Sequence, residues 1–419
     1  MDSDTIFYLY IAGVLALVIV GGLFFARMLL RRRGLISRSL NLALLSIRLP
    51  AAEVREQQPS LQQIRERIAL MEQLYANLHE IRDSFFGHFF YGKPVFTLEL
   101  AIPHIGEELS FYLAVPRRLS PAMEKAVQGI FPEASVERSP DYNIFNPQGA
   151  AAGASLSFRL NRFYPIRTYQ KLEGDPMKEL ANVFTKLAAE GEGAALQIVA
   201  RPARLKWQRK LKEHAKLLFE GKRPKEGIVK AVEMLSEMVS PATQTPAQQQ
   251  AADQRALQPK RLTPLEEEIV RQIEGKASKA LFETNIRLVT SAATRERAEA
   301  ILQGLQLAFA QFNDPNANGF IFRPASDAAL KELVFDFSFR SFNEKRLMVL
   351  GSEELTSLFH FPNVPTETPK VKVLKAREAA PPANLPAEGL ILGYNVFRGE
   401  TREIRMLDED RRRHLYMIG

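Results

Sequence analysis

Val95–Val115, VFTLELAIPHIGEELSFYLAV, holds two β-rich runs joined by the short connection His104-Ile105-Gly106-Glu107. Val95–Ile102 and Leu109–Val115 therefore predict paired strands. Pro116 breaks the second run, and Ser120 with Pro121 predicts a helix to about Ile130, a cap followed by proline at the first helical position. Short strands follow at Ala134–Glu137 and Ser155–Asn161, separated by the Asn/Pro/Gly/Ala-rich loop Asp141–Gly153. Asp175-Pro176 starts another helix to about Ala189, Gly191 and Gly193 end it, and Ala195–Ala200 is the next strand. Taken from Leu109 the order is βαββαβ, which fits the split-βαβ, ferredoxin-like motif and an α+β fold class.

A second α+β module is expected downstream. Thr263-Pro264 restarts order with a cap and a proline. A strand at Leu281–Val289, a helix at Thr294–Phe312 and strands at Gly319–Phe322 and Leu333–Phe339 then give β-α-β-β, a diverged internal repeat of the first module's start. Ser352 caps a last short helix through Phe359. Ser240–Pro259 is too poor in apolar residues to bury a core and reads as a linker. Pro362–Pro386 carries six prolines and reads as an extended connector.

Upstream of the hairpin, Ser60 caps a long helix to about Phe86. Leu61, Ile64, Ile68, Met71, Tyr75, Leu78 and Phe85 fall at three- and four-residue steps, a heptad-like seam. The seam either packs on its own domain or self-associates. Gly34–Leu49 is mildly amphipathic and is expected to lie along a membrane surface until Pro50 ends it.

The membrane expectation comes from Ile6–Ala26, about 21 residues without a charge, which as a helix spans ~31 Å. Asp2 and Asp4 precede it; Arg27, Arg31, Arg32, Arg33 and Arg38 follow. The positive-inside bias places the N-terminus outside and the bulk in the cytoplasm. A cleaved signal peptide would want a basic start and a shorter apolar stretch.

Composition bounds the chemistry. Of 419 residues, 46% are apolar and 25% charged, ordinary for a folded chain. There is no cysteine, which excludes disulfides and thiolate metal sites, and six histidines leave a metal centre few ligands. The net charge of +8 is concentrated: between Arg201 and Lys225, ten Lys or Arg face two Glu. A basic helix is expected there, about Ala203–Phe219, with Trp207, Leu211, Ala215 and Leu218 as its apolar stripe. Arg204, Lys206, Arg209, Lys210, Lys212 and Lys216 are the candidate ligands for DNA, RNA or anionic lipid, against the plainer reading of a solvated face. A weaker helix, Lys225–Val239, follows.

No complete catalytic motif is present: no G-x-x-x-x-G-K-[ST], no H-E-x-x-H, no G-x-S-x-G. His104 with Glu107 and Glu108 reads as a solvated turn rather than a metal site. His79 and His88 face different ways, and Glu190-Gly-Glu-Gly193 is a helix stop. At the end, Leu390–Gly419 predicts a hairpin across Arg398-Gly399-Glu400 and then a short apolar strand, His414–Ile418, delivering Gly419. A buried strand delivering a glycine is how a phosphate-binding loop begins.

Arg398-Gly399 through Asp410-Arg-Arg-Arg-His-Leu-Tyr-Met-Ile-Gly419 resembles the segment leading into the ATPase domain of bacterial type IV secretion coupling proteins and their FtsK/HerA-like relatives. Ile68–Tyr75 (IALMEQLY), Asp141–Gly149 (DYNIFNPQG), Glu190–Pro202 (EGEGAALQIVARP) and Glu353–Pro362 (EELTSLFHFP) resemble the uncharacterised domain that precedes that motor. The resemblance implies the anchored, non-catalytic part of a DNA-transfer ATPase in the bacterial inner membrane. The Walker lysine, hydroxyl ligand and acidic residues are missing, so Gly419 would be only the first glycine of an incomplete nucleotide site. No cofactor is expected in this chain; ATP and Mg would belong to a downstream motor. The implied partners are the lipid bilayer, an ATPase motor in the same or another polypeptide, secretion-channel subunits, DNA, and further copies in a homo-oligomeric ring. The alternative is a stand-alone membrane scaffold with no nucleic-acid role. The expected division is anchor 1–33, juxtamembrane and long helix 34–92, first module with basic helix 93–239, linker 240–262, second module 263–361, connector 362–389, and the start of a truncated ATPase domain 390–419.

Overall fold

A computed structural model describes residues 40–50, 60–81, 93–106, 108–220, 262–362, 381–382, 384–397 and 400–412, together with scattered positions between 10 and 25. The distal part of the long helix (82–92), the weaker helix and linker within 221–261, the connector within 363–380, Arg27, Arg31, Arg32, Arg33, the strand His414–Ile418 and Gly419 lie outside the described residues.

The predicted hairpin forms: β2 (Phe96–Ile102) pairs antiparallel with β3 (Ser110–Pro116). The other strands are β1 (Leu42–Arg48), β4 (Ser135–Arg138), β5 (Ala150–Phe158), β6 (Gly193–Pro202), β7 (Leu281–Ala292), β8 (Phe320–Pro324) and β9 (Met348–Gly351). All lie in one sheet of order β4-β1-β3-β2-β6-β7-β5-β8, with β9 added to β7, and every pairing is antiparallel. Among the residues described from 40 onward, the α-helices that accompany them are α1 (Leu61–His79), α2 (Ser120–Ile130), α3 (Pro176–Phe184), α4 (Leu205–Phe219), α5 (Pro264–Ser278), α6 (Arg295–Ala308), α7 (Asp327–Ser338) and α8 (Ser352–Leu358).

That order contains the split-βαβ arrangement twice. β1-α1-β2-β3-α2-β4 gives the strand order 4-1-3-2, and β5-α3-β6-β7-α6-β8 gives the same order in the second half. The two halves meet edge to edge at β2 and β6. The sequence frame starting at Leu109 is therefore wrong: it joined β3-α2-β4 of one unit to β5-α3-β6 of the next. There is a repeat, but its units run from Leu42 and from Ala150, and β7 of the expected second module lies between β6 and β5 of the first.

Three local misreadings explain the error. Gly34–Leu49 reads as an amphipathic stretch along a membrane surface, yet Leu42–Arg48 is β1, buried between β3 and β4. Its Leu and Ala are good helix formers, and pairing on both edges overrides that preference. The loop Asp141–Gly153 was drawn too long, because β5 begins at Ala150 with small residues of low strand propensity. Smallness is required there: a side chain on Gly153 would meet Leu333 of α7 and the Leu288 carbonyl. Leu333–Phe339 alternates like a strand but lies mostly in α7, which buries Leu333 and Phe337, one helical turn apart.

Four helix starts follow the expected caps, whereas Ser120 and Ser352 are first helical residues behind Leu119 and Gly351 and cap nothing with their side chains. Ser60 and Gln63 form a capping box on α1, Thr263 and Glu266 one on α5, and the Asp175 and Thr294 side chains accept from Met177 N and Arg297 N. The α1 seam is used within the chain: Ile68, Met71, Leu74, Tyr75 and Leu78 are all buried, and Tyr75 Oη donates to the Phe359 carbonyl at 2.6 Å.

The strands alternate between two different faces. Leu45, Ile47, Phe96, Leu98, Leu113, Leu196, Ile198 and Ile286 pack with α1, α2, α3, α6 and α8 in one core. The opposite face is covered by α7 and the 139–149 loop through Phe337, Ile144 and Tyr142. A third cluster seats α4 and α5 against Leu281 and Val349. Each fully buried Leu, Ile or Phe contributes about 1.5–3 kcal/mol. The hairpin β10 (Leu390–Phe397) and β11 (Glu400–Met406) forms a separate two-stranded sheet, as the sequence predicted. Among the described residues no helix is long and apolar enough to cross a membrane.

His360, fully buried, ties the chain after α8 to α3: Nδ1 donates to the Thr356 carbonyl at 2.9 Å and Nε2 meets Asp175 Oδ1 at 2.8 Å. Burial alone would push the Asp175 carboxyl up, but the His360 ring and the Met177 and Lys178 amides hold it below its ordinary range. A depressed carboxylate contributes stability that is complete above the ordinary pKa of about 4 and is lost as pH falls through the folded value. Asp175→Asn, which can still cap α3, should therefore cost stability at neutral pH, with the deficit shrinking below about pH 4. Urea midpoints of both proteins across pH check this; a deficit of constant size would count against the Asp175 carboxylate as its source.

Candidate nucleic-acid interface

The face of the sheet away from the helix layer carries polar residues in one cross-strand row. Glu137, Ser46, Tyr112, Glu99, Gln197, Arg287, Ser155 and Arg323 stand in register across all eight strands from β4 to β8. Glu99, with no exposed surface, sits at the β2–β6 seam. It accepts from Arg340 Nε at 2.9 Å and Nη2 at 3.1 Å, Gln197 Nε2 at 2.8 Å, Tyr142 Oη at 3.0 Å and Thr97 Oγ1 at 3.1 Å. Gln197 in turn accepts from Arg287 Nη1 at 2.9 Å, and Arg287 donates to the carbonyls of Asp336 and Ser341. Burial pushes Arg287 down to about 10 although Asp336 opposes it; burial also lowers Arg340, but Glu99 and Asp141 more than reverse this and hold it well above its ordinary value.

Arg340 reaches Glu99 from a strained backbone. It follows α7 at φ +49°, with Arg340 N bonded to the Phe337 carbonyl and Ser341 N to the Asp336 carbonyl, the double closure of a Schellman turn. Glycine is the usual residue there, and an L residue costs about 1 kcal/mol. The side chain is what the position needs.

A second knot on the same face fixes the basic helix. Glu283 of β7 accepts from Arg201 Nε at 2.7 Å, Lys93 Nζ at 2.9 Å and Trp207 Nε1 at 2.9 Å. Burial would raise its carboxyl, but these three donors hold it below the ordinary range. Arg201 also stacks 3.9 Å over the Phe342 ring and donates to Glu344. Trp207 thus pins α4 to the sheet, while Leu211, His214 and Ala215 bury the same helix face. His214 packs against Phe163 and Tyr164, ring centres 4.9 and 5.3 Å away.

The remaining surface of α4 is the candidate interface. Arg204 occupies the N-cap position, and Arg204, Lys206, Arg209, Lys210, Lys212 and Lys216 are all exposed. Lys206, Arg209, Lys212 and Lys216 follow one another at three- and four-residue steps opposite the Trp207–Leu211 stripe, so they share one face over ~15 Å of helix. Lys206 and Lys210 lean over the Trp207 ring at 5.2 and 5.6 Å, and Lys216 pairs with Glu220 at 3.8 Å. Glu213 is the acidic residue within the basic face. The arrangement can neutralise a run of phosphates.

Residues 58–373 match a family model described as Domain of unknown function (DUF8128). The chain belongs to this family. The DUF8128 span takes in β2–β9 and α1–α8 and begins after β1, the first strand of the first repeat. No curated protein matches the chain.

Other sequence candidates separate. His104 Nδ1 is bonded to the Asn143 carbonyl at 2.9 Å in a turn where Gly106 has φ +125°. Gly191 is left-handed and Glu192 is held by Arg297 at 2.7 Å, but this run is a turn bridged to Ile105 and not the expected helix stop: α3 already ends at Phe184, short of the expected Ala189. No group of three or more His, Asp or Glu among the described residues could hold a metal ion. The Glu99–Gln197–Arg287 row was missed, although each residue stood as a polar interruption in an apolar strand: FTLELAI, GAALQIVARP and LFETNIRLVTSA.

Removing one partner of a buried pair leaves the other charge uncompensated. Arg340→Met should cost about 3–5 kcal/mol, and Glu99→Leu combined with Arg340→Met clearly less than the two single costs together. A double-mutant cycle by urea denaturation measures the coupling. Simple additivity would mean that the pair does not act as a unit.

Proposed function

We propose that the chain is the membrane-tethered, non-catalytic region of a bacterial DNA-transfer ATPase of the type IV secretion coupling, FtsK/HerA-like kind. In this reading it holds the motor at the inner membrane and guides DNA along α4. The observation that carries it is the contrast between the inside and the outside of the folded body. Glu99, Glu283, Arg287 and Arg340 are spent on one another and on neighbouring strands, which is the chemistry of a framework. The six cations of α4 are instead exposed on a helix clamped through Trp207, with Lys216–Glu220 the one ion pair described among them. A rigid basic helix displaces counterions from a nucleic acid without reading sequence.

The tether rests on Ile6–Ala26. Its described positions are helical, and Tyr10, Val14, Leu15, Leu17, Val18, Val20, Phe24 and Phe25 are exposed there, as a segment surrounded by lipid requires. With Arg27, Arg31, Arg32 and Arg33 as the basic flank, the N-terminus is outside and the sheet lies in the cytoplasm. Leu390, Leu392, Tyr394 and Val396 of β10 are exposed apolar side chains on a ribbon of two strands, which needs further polypeptide to be stable. The motor domain, in this or another polypeptide and as part of a ring of copies, is the partner that suits it.

Each phosphate contact contributes about 0.9 to the slope of log affinity against log salt. Arg209→Glu, Lys210→Glu and Lys212→Glu together should therefore weaken binding of a random duplex and flatten the slope by about 2.7. Fluorescence anisotropy across a salt series reads both. An unchanged slope in a variant with unchanged circular dichroism removes DNA from α4.

A further inference from the structure

We propose that the cleft between the start of β1 and the end of α7 is a phosphate site for anionic lipid headgroups at the membrane surface. The cleft encloses about 450 Å³ and is lined by Leu40, Leu42, Arg117, Arg138, Asp141 and Arg340. Arg117 follows β3 directly, its amide bonded to the Asn41 carbonyl, and Arg138 ends β4 opposite Leu45 of β1. Strand pairing thus brings both arginines to the sheet end at which the chain arrives from its N-terminal segment. Both are exposed, and neither is paired with an acidic side chain among the described residues. The Asp141 carboxylate is already engaged by Arg340 Nη2 at 2.7 Å, so it does not cancel them.

Two features select a lipid. Leu40, 65% exposed, adds an apolar rim beside the cations, matching the boundary between a phosphate and a glycerol backbone. Seven Cα steps separate Arg33 from Leu40, so the rim lies within ~25 Å of the basic end of the apolar segment. The proposal rests on the membrane-tethered reading above. It adds to it a specific docking point, distinct from α4, that orients the sheet on the bilayer. Arginine suits the role because its planar guanidinium donates two parallel bonds to a phosphate.

The chain lacks cysteine, so Ser139→Cys gives a single labelling site beside the cleft. The labelled full chain in detergent is titrated with monomeric short-chain phosphatidylglycerol, with phosphatidylcholine of the same length, and with inorganic phosphate. The expected result is saturable binding of phosphatidylglycerol alone. Each basic residue near an anionic surface is worth roughly a factor of five, so Arg117→Gln with Arg138→Gln should weaken binding roughly thirty-fold. Equal response to both lipids, competition by inorganic phosphate as effective as by the lipid, or an unchanged affinity in the double variant would each overturn it. Reconstitution into nanodiscs separates the two readings. A chain that stays out of the bilayer yet binds the short-chain lipid in an arginine-dependent way loses the tether and keeps the cleft; one that enters the bilayer without that dependence does the reverse.

Discussion

Everything in the folded body depends on the antiparallel seam between β2 and β6. A βαββαβ unit of order 4-1-3-2 leaves its second strand as an open edge, with a row of unpaired amides and carbonyls. Here the two open edges satisfy each other from Phe96↔Ala200 to Ile102↔Ala194, and two small sheets become one. The pairing also sets the seam's chemistry. Glu99 and Gln197 stand opposite one another, so a carboxylate is buried where the two units join. An isolated buried carboxylate would be intolerable. The cation that neutralises it comes from outside both repeats, on the strained turn after α7.

That ion pair is a poor source of stability, since desolvation offsets most of its attraction. Its effect on register is stronger. Successive residues of a strand face opposite sides, so a one-residue slip of β2 would turn Glu99 into the helix-side core and Leu98 and Leu100 out of it. The slipped sheet would also strand Arg340 and Gln197. Glu99, Gln197 and Arg287, polar residues in the middle of otherwise apolar strands, therefore favour the alignment in which they find one another.

Local features were legible in the sequence wherever a short-range interaction decides them. Ser60 with Gln63, Asp175-Pro176, Thr263-Pro264 with Glu266, and Thr294 start helices through bonds made within one turn, and each can be read from a few residues. The exposed face of α4 was equally readable, because its apolar stripe and its cations alternate with the helical period. What depended on distant partners was not. β1 is a strand because β3 and β4 flank it, β5 begins at Ala150 because Gly153 must pass beneath Leu333, and the frame of the repeat is fixed by which edges meet. Arg340 offers no sequence signal at all, since nothing near it announces a carboxylate 241 positions upstream.

The repeat also shows where segments were added to the basic unit. In the first unit β2 passes to β3 through residues 103–109, a short turn. At the equivalent place in the second unit, residues 203–280 intervene, carrying α4 and α5. The basic face is thus an insertion at a point where the fold itself needs only a turn, and Glu283 and Trp207 attach it rigidly to the strand that follows. α7, β9 and α8 are likewise additions after the second unit; α7 roofs the polar face and α8 joins the helix layer. Two copies of one unit supply the continuous sheet, and the basic face of α4 lies on a segment that breaks their pseudo-twofold symmetry.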